Sequence, residues 1–279
     1  AVADALQGFN VVIGMRERTA FPKSLIDALP NLKLLITTGM RNFSLDMKAA
    51  REKGIVVCGT AMSGFPTSEH AVGLLMSLFR KIPHENTLMH DGGWQGDVPV
   101  GMKGKTLGVL GLGNLGGKFA KVGLALDMNV IAWSQNLTGE RCQEVGVGYV
   151  DKDTLFRDSD AISIHLVLGD RTRGLVGAKE FALMKPTAYL INTSRGPIVE
   201  EAALIEALKN DAIAGAGLDV YDVEPLPKDH PIRDLKNAVL TGHTGYVVQE
   251  LYTAAYGDAL ENIQAWMKGA PVRVLNEAP

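Results

Sequence analysis

Short apolar runs alternate with stretches of helical periodicity along almost the whole chain, which is the pattern of a parallel sheet wrapped by helices. In the first sixty residues, the runs at 10–13, 33–36 and 55–57 predict strands, and 24–29 and 45–53 predict the helices between them. Residues 68–82 read as one long helix, with Thr67 or Ser68 as its cap, Glu69 in its first turn and Pro83 as its stop. The stretch from Asp91-Gly92-Gly93 to Gly104, rich in Gly and Pro, is the clearest change of composition and predicts a domain junction around this helix and loop. A second alternating block predicts strands at 106–110, 129–133, 161–165, 188–192, 215–220 and 238–241. Helices are expected at 115–125, 179–183, 200–209 and 249–268, the last ended by Gly269 and Pro271. The fold class is therefore α/β, without internal repeats.

Composition narrows the partners. At 279 residues, 46% hydrophobic and 21% charged, the chain is an ordinary globular protein with room for two domains. A net charge of -3 and the lack of a basic run exclude a nucleic-acid binder held by bulk charge. No apolar run reaches the roughly 18 residues of a membrane helix. Cys58 and Cys142 are too few for a disulfide scaffold or a CxxC metal site, and His84 and His90 lack ligand spacing. No metal is expected, and a reducing cytoplasm is the expected location. The chain opens without Met and residues 1–6 read as mid-helix, so an N-terminal segment is expected to precede Ala1.

The strongest chemical signal is Gly111-Leu112-Gly113-Asn114-Leu115-Gly116, which follows the apolar run 106–110 and opens the helix at 115–125. That strand–turn–helix order is what the dinucleotide fingerprint requires, whereas GxGxxG alone is weak. Gly111 permits the tight turn, Gly113 lets a pyrophosphate approach the backbone, and Gly116 lets helix and strand pack closely. The helix N-terminus offers unpaired N–H groups and partial positive charge to phosphates. Lys118 does not make a phosphate loop, because the GxxxxGK[ST] spacing is absent. The acid that usually holds the adenine ribose is missing: the second strand ends Trp133-Ser134-Gln135, with Ser134 in its place. No Arg stands beside Ser134 to hold a 2′-phosphate, the nearest being Arg141, so NAD and NADP both stay open.

Three later strand ends carry polar groups: Asn192-Thr193-Ser194-Arg195-Gly196, Asp219-Val220-Tyr221-Asp222-Val223-Glu224 and Thr241-Gly242-His243-Thr244-Gly245. In an open parallel sheet such ends line the ligand crevice. An alcohol that loses hydride must also lose its hydroxyl proton, and a histidine suits that step. A carboxylate beside it would favour the imidazolium and fix the tautomer, and an arginine fork matches a substrate carboxylate or carbonyl. Each residue also has a bland reading: Arg195 as a surface ion-pair partner, Glu224 as a loop charge, His243 as a turn residue. Their joint position beyond the nucleotide turn favours chemistry. His165 and His70 read as structural, Cys58 as core.

At these residues the sequence resembles the D-isomer-specific 2-hydroxyacid dehydrogenases. The stretch from Met184 to Pro225, the segment Thr67-Ser68-Glu69-His70-Ala71 and the run Lys105 to Gly113 carry the likeness, which covers nearly the whole chain. The resemblance implies two Rossmann-like domains with parallel sheets and an interdomain active-site cleft. A discontinuous substrate domain of residues 1–67 and 247–279, lacking its first strand, would join a dinucleotide domain of residues 68–246. Arg195 would bind substrate, His243 would be the acid–base and Glu224 its partner. Gly39, Met40 and Arg41 would belong to the substrate loop, whose backbone N–H groups hold the carboxylate. The cofactor contacts expected are Thr67, Gly111, Gly113, Asn114, Leu115, Gly116, Ser134, Leu166, Thr172, Thr193, Ser194, Asp219 and Gly245, with Asp219 at the nicotinamide carboxamide. A homodimer is implied, with the loop around Trp94 in its interface. Two departures stand out: Gly242 replaces the family's usual Pro before the histidine, and His165–Gly169 lacks its Pro and Thr. Glu224 favours a small 2-keto or 2-hydroxy acid over formate. The alternative is a non-catalytic NAD(H) sensor of the same fold, which would not need Arg195, Glu224 and His243 together.

Overall fold

The computed structural model describes residues 1–61 and 64–276. The chain divides into two units, one of Ala1–Ser63 with Val247–Pro279 and one of Gly64–Tyr246.

The first unit runs α1 (Val2–Leu6), β1 (Val11–Gly14), α2 (Lys23–Asp27), β2 (Leu34–Thr37), α3 (Met47–Glu52) and β3 (Val56–Cys58). The strands form a parallel sheet in the order β1-β2-β3. Each begins one residue later than the apolar pattern predicts. Asn10 and Lys33 sit just outside, where their carbonyls accept the first ladder bonds from Leu34 and Val56. Asp46 caps α3 by accepting from the Ala49 N–H at 2.9 Å.

The second unit runs α4 (Phe65–Phe79), α5 (Ile82–His90), β4 (Thr106–Leu110), α6 (Asn114–Ala125), β5 (Asn129–Trp133), α7 (Gly139–Val145), β6 (Gly148–Tyr149) and α8 (Lys152–Asp158). It continues through β7 (Ala161–Ile164), α9 (Ala178–Leu183), β8 (Tyr189–Asn192), α10 (Glu201–Lys209), β9 (Gly215–Leu218) and β10 (Ala238–Leu240). The closing helix α11 (Gln249–Met267) belongs to the first unit. All seven strands of the second unit are parallel, in the order β10-β9-β8-β7-β4-β5-β6. The winding reverses between β4 and β7, which makes the carboxyl end of β4 the topological switch point of a doubly wound sheet. Successive residues face opposite sides: Leu107 and Val109 pack with Leu75, Phe79 and Phe119, whereas Leu110, Ile162 and Leu190 pack with Phe156, Phe181 and Leu204.

The expected single helix at 68–82 is two helices. Pro66 and Pro83 each lie in a first turn, where no N–H is needed, so Pro83 opens α5 instead of stopping α4. Lys81, at φ 50°, makes the break. Neither Thr67 nor Ser68 caps: both lie inside α4, and the Ser68 hydroxyl donates to the Phe65 carbonyl at 2.8 Å. The two units divide just before α4, at the helix end of the expected junction, whereas the stretch 91–104 is a loop within the second unit, tied down where Val100 N–H donates to Phe79 O and Lys81 pairs with Asp97. Helices α7 and α8 are additions to the expected set. Their caps, Thr138 and Asp151, and the αL residue Gly146 are in the sequence, but each helix is only 7 residues long, too short for a clear period.

Candidate functional site

The site begins at the glycine turn beyond β4. Gly111 has φ +105°, and a Cβ there would lie 2.6 Å from the carbonyl oxygen of His165. A Cβ on Gly116 would run into the Gly111 carbonyl, so helix and turn touch backbone to backbone. Gly113 differs: a Cβ there would meet open space. Its lack of a side chain is not demanded by the protein's own packing. The first helical bond of α6 runs from Gly117 N–H to Gly113 O, so Asn114, Leu115 and Gly116 present N–H groups without an intrahelical partner. Leu166, half-buried, lies against the turn, its Cδ2 2.9 Å from the Cβ position of Gly111.

His165 lies beneath the turn. Its ring packs on Phe119 at 4.9 Å between centroids and its Nε2 meets the Ser163 hydroxyl at 2.9 Å. Burial pushes its pKa down to about 4, so it stays neutral. Ser134 follows β5 directly. Arg141 donates to Glu144 at 2.9 Å and to the Leu112 carbonyl, in the glycine turn, at 3.5 Å.

The loop beyond β8 is shaped by Asn192, whose Oδ1 accepts from Ser194 N–H at 3.0 Å and whose Nδ2 donates to Arg195 O at 3.0 Å. Gly196 is required because a Cβ there would overlap the backbone of Tyr221. Arg195 is half-buried, with Nη1 donating to Ser194 O at 2.7 Å. Thr193 is 5% exposed, yet its hydroxyl is buried without a hydrogen-bond partner. A buried hydroxyl left without a partner is what a polar ligand would satisfy.

Beyond β9 and β10 the two remaining segments interlock. His243 Nδ1–H donates to Glu224 Oε2 at 2.5 Å, and Glu224 Oε1 accepts from Tyr221 N–H at 3.0 Å. Burial opposes ionisation of Glu224, but the His243 and Tyr221 hydrogen bonds and the charges of His243 and Arg195 hold its carboxyl below the usual range. With Nδ1 engaged, Nε2 of His243 is the nitrogen left for a substrate proton. The Tyr221 hydroxyl donates to Thr241 O at 2.9 Å. Asp219, 1% exposed, accepts from Thr241 Oγ1 at 2.6 Å, Thr244 N–H at 2.8 Å and Gly245 N–H at 2.8 Å.

The structure thus brings Glu224 and His243 into contact and gives several other expected site residues internal work. Asp219 and Gly245 bond to each other, so in this structure they fasten the loop that carries His243. The Ser194 hydroxyl donates to Ile164 O at 2.7 Å. The Thr172 hydroxyl donates to Val167 O at 2.7 Å and accepts from Gly169 N–H at 2.9 Å, closing a local turn. Thr67 sits in the first turn of α4. In the first unit, the Gly39 N–H expected for a carboxylate donates instead to Thr60 Oγ1 at 3.0 Å, and Thr38 N–H to Gly14 O. Met40 and Arg41 of that loop are exposed. Sequence reasoning passed over Tyr221 and Thr241, which hold the two loops together; nothing local marks them, because their partners lie about twenty residues away. Among the described residues no group of three or more His, Cys, Asp or Glu could hold a metal ion, and no helix is long and apolar enough to cross a membrane.

The sequence model of the D-isomer specific 2-hydroxyacid dehydrogenase NAD-binding domain matches residues 72–245. A D-3-phosphoglycerate dehydrogenase from Archaeoglobus fulgidus is 38% identical over 264 residues, covering 94% of this chain and 50% of that protein. The chain therefore spans half the length of that relative. The crystal structure of a phosphoglycerate oxidoreductase from Vibrio cholerae superposes with a TM-score of 0.91 at 31% identity, covering 96% of this chain and 87% of that one. The apo structure of D-lactate dehydrogenase from Escherichia coli gives 0.86 at 29% identity, covering 98% and 88%. The chain belongs to the D-isomer-specific 2-hydroxyacid dehydrogenase family, and its second unit contains that family's NAD-binding domain.

Proposed function

We propose that this protein transfers hydride between a nicotinamide cofactor and a small D-2-hydroxy acid or its 2-keto acid. The carrying observation is the His243–Glu224 pair, joined at 2.5 Å in the same unit as the dinucleotide turn. When bound, the nicotinamide supplies the hydride acceptor or donor. The pyrophosphate would lie on the N–H groups of Asn114, Leu115 and Gly116, in the space left by Gly113, and the Thr193 hydroxyl would meet a polar group of the cofactor. Arg195 would hold the substrate's carboxylate and carbonyl. Nε2 of His243 would take the hydroxyl proton in oxidation and return it in reduction, while Glu224 fixes the ring and balances the imidazolium. Residues 64–246 would be the cofactor domain; residues 1–63 and 247–279 would be the substrate domain, with Met40 and Arg41 as substrate contacts.

The relatives are named for phosphoglycerate and lactate, so glyoxylate, hydroxypyruvate, pyruvate and 3-phosphohydroxypyruvate form the substrate panel. Each is incubated with NADH or NADPH and followed by absorbance. Turnover of at least one, lost in His243→Ala, is expected. Tight NADH binding without turnover of any acid would favour the sensor reading instead. NAD and NADP are separated by Ser134→Asp: the new carboxylate repels a 2′-phosphate, so preference should move towards NAD. Ile82, Met89, Trp94, Val98 and Val100 are exposed on α5 and the following loop, and support a homodimer through this surface. Two free, buried cysteines suit a cytoplasmic setting, and the net charge of -3 gives no support to nucleic-acid binding.

A further inference from the structure

We propose that His70 is a positioning residue for the acid–base, acting on His243 through Thr241 and Asp219; the inference rests on the role assigned above to His243. His70 lies on α4 and is partly buried. Its Nε2 meets Thr241 Oγ1 at 2.8 Å and lies 3.4 Å from Asp219 Oδ1. The Thr241 hydroxyl has a single proton, and it reaches Asp219 Oδ1 at 2.6 Å against 3.4 Å to Leu218 O. The proton therefore goes to the carboxylate, and Thr241 Oγ1 must accept from His70 Nε2–H. A directed chain results: His70 to Thr241 to Asp219. The same carboxylate receives the N–H groups of Thr244 and Gly245.

These bonds bracket His243. Thr241 lies two residues before it, Thr244 and Gly245 just after, and all three are tied to one buried carboxylate. His243 itself has φ 56°, a left-handed conformation that a non-glycine residue holds only when its surroundings impose it. The anchors supply that imposition, and His70 fixes the rotor at their start. Without the His70 donor, Thr241 can turn its hydroxyl to Leu218 O. Asp219 then loses an anchor on Oδ1, and the turn that aims His243 at Glu224 loosens. His70 also packs against Gly245, where an added Cβ would lie 3.5 Å from the His70 Cβ.

The test compares His70→Leu, which keeps bulk but removes the donor, with His70→Gln, which keeps a donor. In the full-length protein, kcat on the keto acid that the wild type turns over should fall about tenfold or more in H70L, as for loss of an outer-shell partner. KM and NADH affinity should stay within about twofold, and H70Q should recover most of kcat. Independently of turnover, amide exchange at Thr244 and Gly245 should speed up about tenfold in H70L, with Leu190 and Ile191 of β8 unchanged. If H70L fails to fold, Thr241→Val breaks the same chain and should show the same local exchange. Wild-type exchange at 244 and 245 in a folded H70L or T241V overturns the proposal. A wild type inactive on every acid overturns the proposed function but leaves the exchange result to decide on His70.

Discussion

Burial disfavours the charged form of both Glu224 and His165, and their partners decide the outcome. Glu224 is partly withdrawn from water, yet two donors and two positive charges keep it ionised; His165 is enclosed by Phe119 and the glycine turn with one hydroxyl partner, so it stays neutral. Replacing Glu224 by Gln keeps the side chain's size but turns an NH2 towards one of the two donors, Tyr221 N–H or His243 Nδ1–H, and removes the charge that balances the imidazolium. We expect kcat/KM to fall roughly 10–100-fold with NADH affinity retained, measured by steady-state kinetics and fluorescence titration. His165 has a stability consequence. Its pKa falls from 6.5 in the unfolded chain to about 4 in the folded one, so between those values the unfolded state binds more protons. Stability should therefore drop as pH falls from about 6.5 to about 4, by at most about 3 kcal/mol from this group, and level off below. His165→Gln should flatten that slope in melting curves recorded from pH 8 to 4, even if it lowers Tm throughout. An unchanged slope would exclude His165 as the source.

At the level of elements, the β4–α6 turn separates two roles of glycine. Gly116 is required by the protein's own packing, because a Cβ would strike the Gly111 carbonyl; at Gly113 a Cβ would strike nothing. Gly116→Ala should therefore destabilise the fold by several kcal/mol, as overpacking against backbone does. Gly113→Ala should leave Tm within a degree or two and weaken NADH binding at least tenfold. Calorimetry with dinucleotide titration checks both, and a Gly113→Ala variant with wild-type affinity would take the pyrophosphate away from this turn. Much of this element was legible, because glycine spacing, an apolar run and a helical period are local signals. The α4–α5 break was not. Nothing local marks Lys81 for φ 50°, and a proline that ends one helix looks the same as one that starts the next.

For the whole molecule, the exposed residues Trp94 and Val98, at 74% and 92%, are the most telling part of the surface on α5 and its loop. If this surface joins two copies, sedimentation should give a dimer, and Trp94→Ser with Val98→Ser should shift it to monomer without loss of fold. A monomeric wild type would remove the proposed interface. The family and the doubly wound second unit were both readable in the sequence, since the motifs sit at the strand ends that this topology gathers on one side. The internal hydrogen bonds of Asp219, Gly245, Ser194, Thr172 and Gly39 were not. A residue type states what it can bond to, and only the neighbours decide whether it already does.

The sequence by itself determined the strand–turn–helix with its three glycines, the ending of the second strand in Trp133-Ser134-Gln135 without an acid, and the presence of Arg195, Glu224 and His243 just past apolar strands. These are properties of consecutive residues and of period. The tertiary structure alone decided that Glu224 reaches His243 at 2.5 Å and that Asp219 is bound to the loop around that histidine. It also placed His70, far away in the chain, at the head of the same hydrogen-bond chain. Those contacts join residues 19 to 171 positions apart, so they come into being only when the parallel sheet sets its strand ends side by side.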